Sequence, residues 1–232
     1  MKNLTPIRFC FLLITGALFL IATGCKKDDT TVTPVTDIDG NVYHTITIGN
    51  QVWMVENLKT TRYNDGTAIT LISDSAVWVN LVYTGTPGYC WYKNDAVKYK
   101  STYGAIYNWY AVNTGKLAPA GWRIPTDADW TTLATFLGGD SLAGNKLKEQ
   151  GTYHWAPLNI GADNSSGFSA LPGGVRLYDA SFNGISQVGY WWSVTASDSG
   201  SAWTRELNCS NSKMNRENYG KTLGCYVRCI KN

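Results

Sequence analysis

The first apolar positions of the chain have no period. They form one run from Phe9 to Ala22, about 14 residues, behind Lys2 and Arg8. From position 37 the pattern alternates. Val42, His44, Ile46 and Ile48 form a period-two set, Gly49-Asn50 turns, and Val52-Trp53-Met54-Val55 resumes, which predicts antiparallel strands. Asp39-Gly40 is a hairpin signal. Residues 59–100 are irregular. Tyr103 to Val112 predicts a helix with Ile106, Trp109 and Tyr110 on one face. The clearest helix opens at Thr126, a capping residue with Asp129 three positions on, and Asp127 and Asp129 suit the positive end of the helix dipole. Trp130, Leu133, Ala134 and Leu137 follow at helical spacing, and Gly138-Gly139 stops the helix. A short helix is predicted from Leu142 to Lys148. Strands are predicted at Phe168–Leu171, Gly189–Ala196, Ala202–Leu207 and Leu223–Ile230, with polar loops between them. Strands, then helices, then strands argue for an α+β fold in one domain.

The opening run changes the picture by fixing a compartment. Lys2, Arg8, the apolar run and the small residues Thr23-Gly24 make a charged, apolar and small-residue succession that reads as a leader of residues 1–24. The run is too short to span a bilayer, which takes about 20 residues. Ala22-Thr23-Gly24-Cys25 resembles a bacterial lipobox. That resemblance implies diacylglyceryl modification of Cys25, cleavage before it, and stable attachment to a membrane through two or three acyl chains. Lys26-Lys27-Asp28-Asp29 resembles the surface-display signal of lipoproteins from Bacteroidetes-type bacteria. The expected location is the outer membrane, facing the cell exterior. Residues 25–36 read as the lipidated cysteine and a Thr/Pro-rich tether, and residues 37–232 as the domain.

Composition adds exclusions. The formal charge is +3 and the basic residues are scattered, unlike the basic stripe of a nucleic-acid binder. Histidines are scarce. Only His44 and His154 exist, and neither lies near a nucleophile motif. Asp37-Ile38-Asp39-Gly40 lacks calcium-loop spacing and reads as turn chemistry. No metal ligand set and no cofactor are expected. Cys10 leaves with the leader and Cys25 takes lipid, so Cys90, Cys209, Cys225 and Cys229 remain for an oxidising compartment. Cys225 and Cys229 lie four apart in a predicted strand, about 13 Å, while a disulfide needs Cα atoms within about 7 Å. Cys90 and Cys209 are therefore each expected to bond one of the C-terminal pair. The favoured pairing is Cys90–Cys229 with Cys209–Cys225.

Several segments resemble one family. Asp39-Gly40-Asn41-Val42-Tyr43, Trp53 to Leu58, Cys90-Trp91-Tyr92, Tyr103 to Trp109, Gly121-Trp122-Arg123-Ile124-Pro125-Thr126, Gly167 to Gly174 and Val227-Arg228-Cys229 follow the order of the Fibrobacter succinogenes major paralogous domain. The resemblance implies a secreted or lipid-anchored bacterial setting more than a molecular role. Gly-Trp-Arg-Ile-Pro-Thr and the closing strand also resemble the C-type-lectin-like fold, which includes the formylglycine-generating family. That implies antiparallel strands with two main helices, and the Cys90–Cys229 link resembles that fold's bridge from first helix to last strand.

Ten Trp and fourteen Tyr are the unusual feature of the composition. Flat apolar rings with a polar edge suit recognition, and Tyr92, Trp155, Trp191 and Trp192 are the candidate contacts. The expected role is a non-catalytic binding domain for an extracellular glycan or another surface molecule. A structural or adhesion component is the alternative. A formylglycine-generating-type oxidase is the enzymatic alternative, disfavoured because Cys225 and Cys229 have the wrong spacing.

Overall fold

The structure is a computed structural model that describes Met1 and residues 34–232. Cys25, the lipobox and most of the tether lie outside the described residues. In chain order the strands are β1 (Val35–Thr36), β2 (Val42–Tyr43), β3 (Thr45–Ile48), β4 (Gln51–Met54), β5 (Thr70–Leu71), β6 (Gly88–Cys90), β7 (Ile106–Tyr107), β8 (Trp122–Arg123), β9 (Val175–Arg176), β10 (Phe182–Asn183), β11 (Val188–Ala196), β12 (Ser201–Asn208), β13 (Met214–Gly220) and β14 (Ile230–Lys231). The helices are α1 (Ser75–Val79), α2 (Leu81–Thr84), α3 (Ala96–Tyr103), α4 (Trp109–Val112), α5 (Asp127–Phe136) and α6 (Asp140–Leu147). The fold is α+β.

Two sheets organise the molecule. The first has strand order β3-β4-β14-β8, so the end of the chain is sealed between an early hairpin and a middle strand. Its register sets Ile230 opposite Trp53 on one side and Arg123 on the other. The second is the antiparallel meander β11-β12-β13. Leu207 and Met214 from this meander, Trp130 and Leu133 from α5, and Ala143 and Leu147 from α6 share one core cluster. Inside α6, Gly144 is required by packing. A Cβ there would lie 2.5 Å from the Lys213 carbonyl oxygen, closer than side chains approach backbone.

The predicted start of α5 is present in full. Thr126 Oγ1 accepts from the Asp129 amide at 3.1 Å, and Asp129 accepts from the Thr126 amide at 2.7 Å. Elsewhere the expectations need correction. The helix expected over Tyr103–Val112 is broken into the end of α3, β7 and α4. The break is Gly104, with φ +83 and its Cα so near the Leu58 carbonyl that a Cβ would sit 2.8 Å away. Phe168–Leu171 forms no strand, only a bridge at Ala170 to Lys148. Most of Leu223–Ile230 makes single bridges rather than a continuous strand. β13 is a strand in a segment expected to be loop. Val35 and Thr36, expected in the tether, pair with Tyr43 and Val42.

Candidate functional site

The four aromatic residues expected to touch ligand are interior. Tyr92 is 2 % exposed, Trp155 1 %, Trp191 1 % and Trp192 0 %. Burial of an indole leaves its N–H in need of an acceptor, and each has one. Trp155 donates to the Ala170 carbonyl at 3.0 Å, Trp191 to Asn57 Oδ1 at 2.8 Å and Trp192 to the Tyr107 carbonyl at 2.9 Å. Tyr92 packs against Tyr99 and Phe182. These residues hold the fold and cannot line a surface site.

They pack around buried cations. Arg228 donates to Asn57 Oδ1 and to the Phe168 carbonyl, and its guanidinium lies 4.2 Å from the Phe168 ring centroid. Burial pushes its pKa down to about 9, which leaves it charged at neutral pH. Arg176 donates to the Ile72 carbonyl at 2.5 Å and stacks 4.1 Å from the Trp78 ring. Lys148 Nζ donates to the carbonyls of Ile160, Asn208 and Asn211 at 2.8–3.0 Å. Its pKa is pushed down to about 8 by burial. Carbonyl dipoles and ring faces offset desolvation here in place of carboxylates.

The disulfide expectation is corrected. Cys90, Cys209, Cys225 and Cys229 are all free thiols. Their surroundings differ. Cys90 lies beside Arg176, and burial pushes its pKa up to about 12. Cys229 belongs to a different core cluster from Cys90, and burial raises its pKa as well. Cys225 pairs across to Tyr107. Cys209 amide donates to the Gln187 carbonyl at the far end of β12. The fully buried Cys90, Cys225 and Cys229, whose thiol pKa values burial raises, are poor nucleophiles.

A concave surface lies along α5. Asp129, Thr132 and Phe136 share one face of this helix, turned away from the core stripe Trp130, Leu133, Ala134 and Leu137. The β3–β4 turn runs beside that face. Gln51 Nε2 donates to the Asp129 carbonyl at 3.1 Å near the helix start. At the other end the Phe136 ring lies against Gly49, where a Cβ would meet it at 2.9 Å. Two cavities follow this seam. One, about 420 Å³, is lined by Thr47, Gly49, Phe136, Leu137, Lys146, Ser165 and Ser166, with Ile48 behind. The other, about 340 Å³, is lined by Asn50, Gln51, Val52, Arg123, Asp129, Thr132 and the last residues Ile230–Asn232.

The groove is chemically mixed. Phe136 is 62 % exposed, an apolar ring with nothing polar to offer water. Its cavity also holds the hydroxyls of Thr47, Ser165 and Ser166 and the ammonium group of Lys146, while Asn50, Gln51, Arg123 and Lys231 line the second cavity. Asp129 is the carboxylate in the lining, and it is fully engaged. Arg123 donates to it twice, at 2.5 and 2.8 Å, and Thr126 Oγ1 lies 2.6 Å away. Burial favours its neutral form, but the bonds from Arg123 and Thr126 outweigh burial and hold its pKa below the usual range. An ionised, saturated carboxylate accepts hydrogen bonds but has no proton to give. Both histidines also have carboxylate partners, His44 with Glu56 at 2.6 Å and His154 with Glu149 at 2.9 Å. The arrangement is suited to holding a polar ligand. Phe136 was legible in principle, as a large apolar residue out of phase with the α5 stripe.

Comparison with protein families gives one match. The model of the Fibrobacter succinogenes major domain aligns with residues 46–231, most of the chain. The chain belongs to the Fibrobacter succinogenes major domain family. No curated protein and no solved structure matches it. The family match spans β3 to β14. In this Fibrobacter succinogenes major domain it therefore covers both walls of the α5 groove, as well as Arg176, Arg228 and Lys148. Among the described residues no helix is long and apolar enough to cross a membrane.

Proposed function

We propose that this is a lipid-anchored protein of the bacterial outer-membrane surface whose domain binds a glycan in the groove along α5. The observation that carries the reading is Phe136, 62 % exposed at the head of a polar, concave seam. Sugars have an apolar C–H face and a rim of hydroxyls. An open ring beside hydroxyl and ammonium groups complements both. Both cavities are bordered by the β3–β4 hairpin and by α5. Attachment through Cys25 and the surface location rest on the leader and the residues after it. A lectin-like assignment of the fold is supported by the pairing of terminal β14 with early β4, next to the β11–β13 meander.

The test is a screen of the full chain, kept in a neutral maltoside detergent, against immobilised polysaccharides of broad classes. Retention by at least one class is expected, weakened about tenfold or more in Phe136→Ala, as loss of a stacked aromatic anchor implies. Absence of retention across all classes contradicts the glycan reading. The anchor has its own readout in the intact mass of protein extracted from membranes. A chain starting at a diacylglyceryl-modified Cys25 is expected, and one that retains Met1 contradicts it.

A further inference from the structure

Away from α5, a cavity of about 310 Å³ opens between the β1–β2 hairpin and α3, lined by Asn41, Lys59, Ala96, Val97, Lys100 and Ser101. Its lining holds two ammonium groups and no carboxylate. Both lysines are half-buried, each with its ammonium group over an aromatic ring. Lys59 Nζ is 5.9 Å from the Tyr43 ring centroid and Lys100 Nζ is 5.5 Å from that of Trp91. Among the described residues neither ammonium group forms an ion pair or donates a hydrogen bond, although the Lys59 backbone amide donates to the Tyr43 hydroxyl at 2.9 Å. Cations close by in the fold behave differently. Arg62 pairs with Asp39 at 2.6 Å and Lys116 with Asp65 at 2.8 Å.

The nearby acids do not neutralise the cavity. Asp37 is buried behind the hairpin and saturated. It accepts from the amides of Asp39 and Asn41, from Asn41 Nδ2 and from the Tyr43 hydroxyl. Asp95 caps α3 by accepting from the Lys98 amide at 3.0 Å. Lys93 and Lys98 add exposed positive charge on either side of that cap. Two like charges set in one concavity repel each other, and a shared anion turns that repulsion into attraction. Asn41 commits its Nδ2 hydrogens to Asp37. Its Oδ1 therefore remains available as an acceptor for a ligand hydroxyl.

We propose that the Lys59–Lys100 cavity is an oxyanion site that takes a phosphate group. Lysine ammoniums bind phosphate oxygens as separate point charges, which suits two lysines arriving from different elements. The volume leaves room beyond one phosphate, so a phosphorylated sugar or polyol fits. This site is separate from the α5 groove and stands without the glycan reading.

The test uses the full chain in neutral maltoside detergent, titrated calorimetrically with inorganic phosphate at constant ionic strength set with chloride. Saturable binding with one phosphate per chain is expected. Lys59→Gln/Lys100→Gln is expected to weaken it at least tenfold with an unchanged melting temperature, while the exposed-charge control Lys213→Gln keeps it. Absence of saturable binding overturns the proposal. So does equal affinity in the double variant. A second arm adds phosphatidic acid to the micelles. Tightening by tenfold or more over inorganic phosphate, lost in the double variant, supports the site with a lipid headgroup as the source. Affinity equal to that for inorganic phosphate supports the site with a soluble or sugar-borne phosphate as the source.

Discussion

The interior around Arg228 and the seam along α5 use the same residue types to opposite ends. In the interior, aromatic rings surround a cation, and the indole N–H groups of Trp155, Trp191 and Trp192 each have an acceptor. Asn57 is the hub there. Its Oδ1 accepts from Trp191 and Arg228, and its Nδ2 donates to the Tyr103 carbonyl at 2.8 Å. Along α5, Phe136 stands open to solvent over Gly49, and polar groups ring the space before it. Closed networks of this kind fix one packing and leave no valence for a ligand. An open ring with polar neighbours leaves both. Aromatic abundance therefore says little about binding until exposure divides it.

Changes in the interior separate the two regions most strongly. Arg228→Ala removes the donors to Asn57 and Phe168 and opens a cavity. A loss of about 4 kcal/mol is expected by denaturant titration. A loss below about 1 kcal/mol would show that the network is not central.

Lys148→Met orphans the carbonyls of Ile160, Asn208 and Asn211, and about 3 kcal/mol is expected to be lost. This residue also has a pH signature. Its folded pKa is depressed to about 8 from 10.5, so between these values the unfolded chain holds a proton that the folded chain has released. Unfolding free energy contributed by Lys148 must then rise with pH across that window and stay flat below it. The stability difference between the wild type and Lys148→Met, followed from pH 7 to 10.5, checks the sign.

Trp191→Phe keeps one six-membered ring but takes away the fused pyrrole and, with it, the donor to Asn57. About 1–2 kcal/mol is expected, read as a lower melting temperature. Phe136→Ala is expected to change stability by less than about 0.5 kcal/mol, since the ring is largely exposed. Ligand retention is where its effect is expected.

Local signals were legible in the sequence, and signals set by distant contacts were not. The α5 cap could be read because Thr126 and Asp129 interact across three residues. The Gly138-Gly139 stop was equally local. The break at Gly104 depends on Leu58 and Asn57 passing close by, which no window around 103–112 contains. β13 was missed because Asn215, Arg216, Glu217 and Asn218 are polar on both faces, and only pairing with β12 makes the segment a strand. Strand length alone sets Cys225 and Cys229 too far apart to bond, but no local pattern places Cys90 and Cys229 in separate core clusters. Flat rings with a polar edge made Tyr92, Trp155, Trp191 and Trp192 candidate contacts, but residue type carries no information on burial. The groove joins residues from five separate stretches of chain, and its one readable mark was Phe136 lying off the helix stripe.

Isothermal calorimetry of the full chain with a retained polysaccharide, run beside melting curves for wild type, Phe136→Ala and Trp191→Phe, tests this division of labour most directly. Phe136→Ala is predicted to lose at least tenfold in affinity at an unchanged melting temperature, and Trp191→Phe to melt lower with its affinity intact. Full affinity in Phe136→Ala, with loss in a folded Trp191→Phe, would contradict the account.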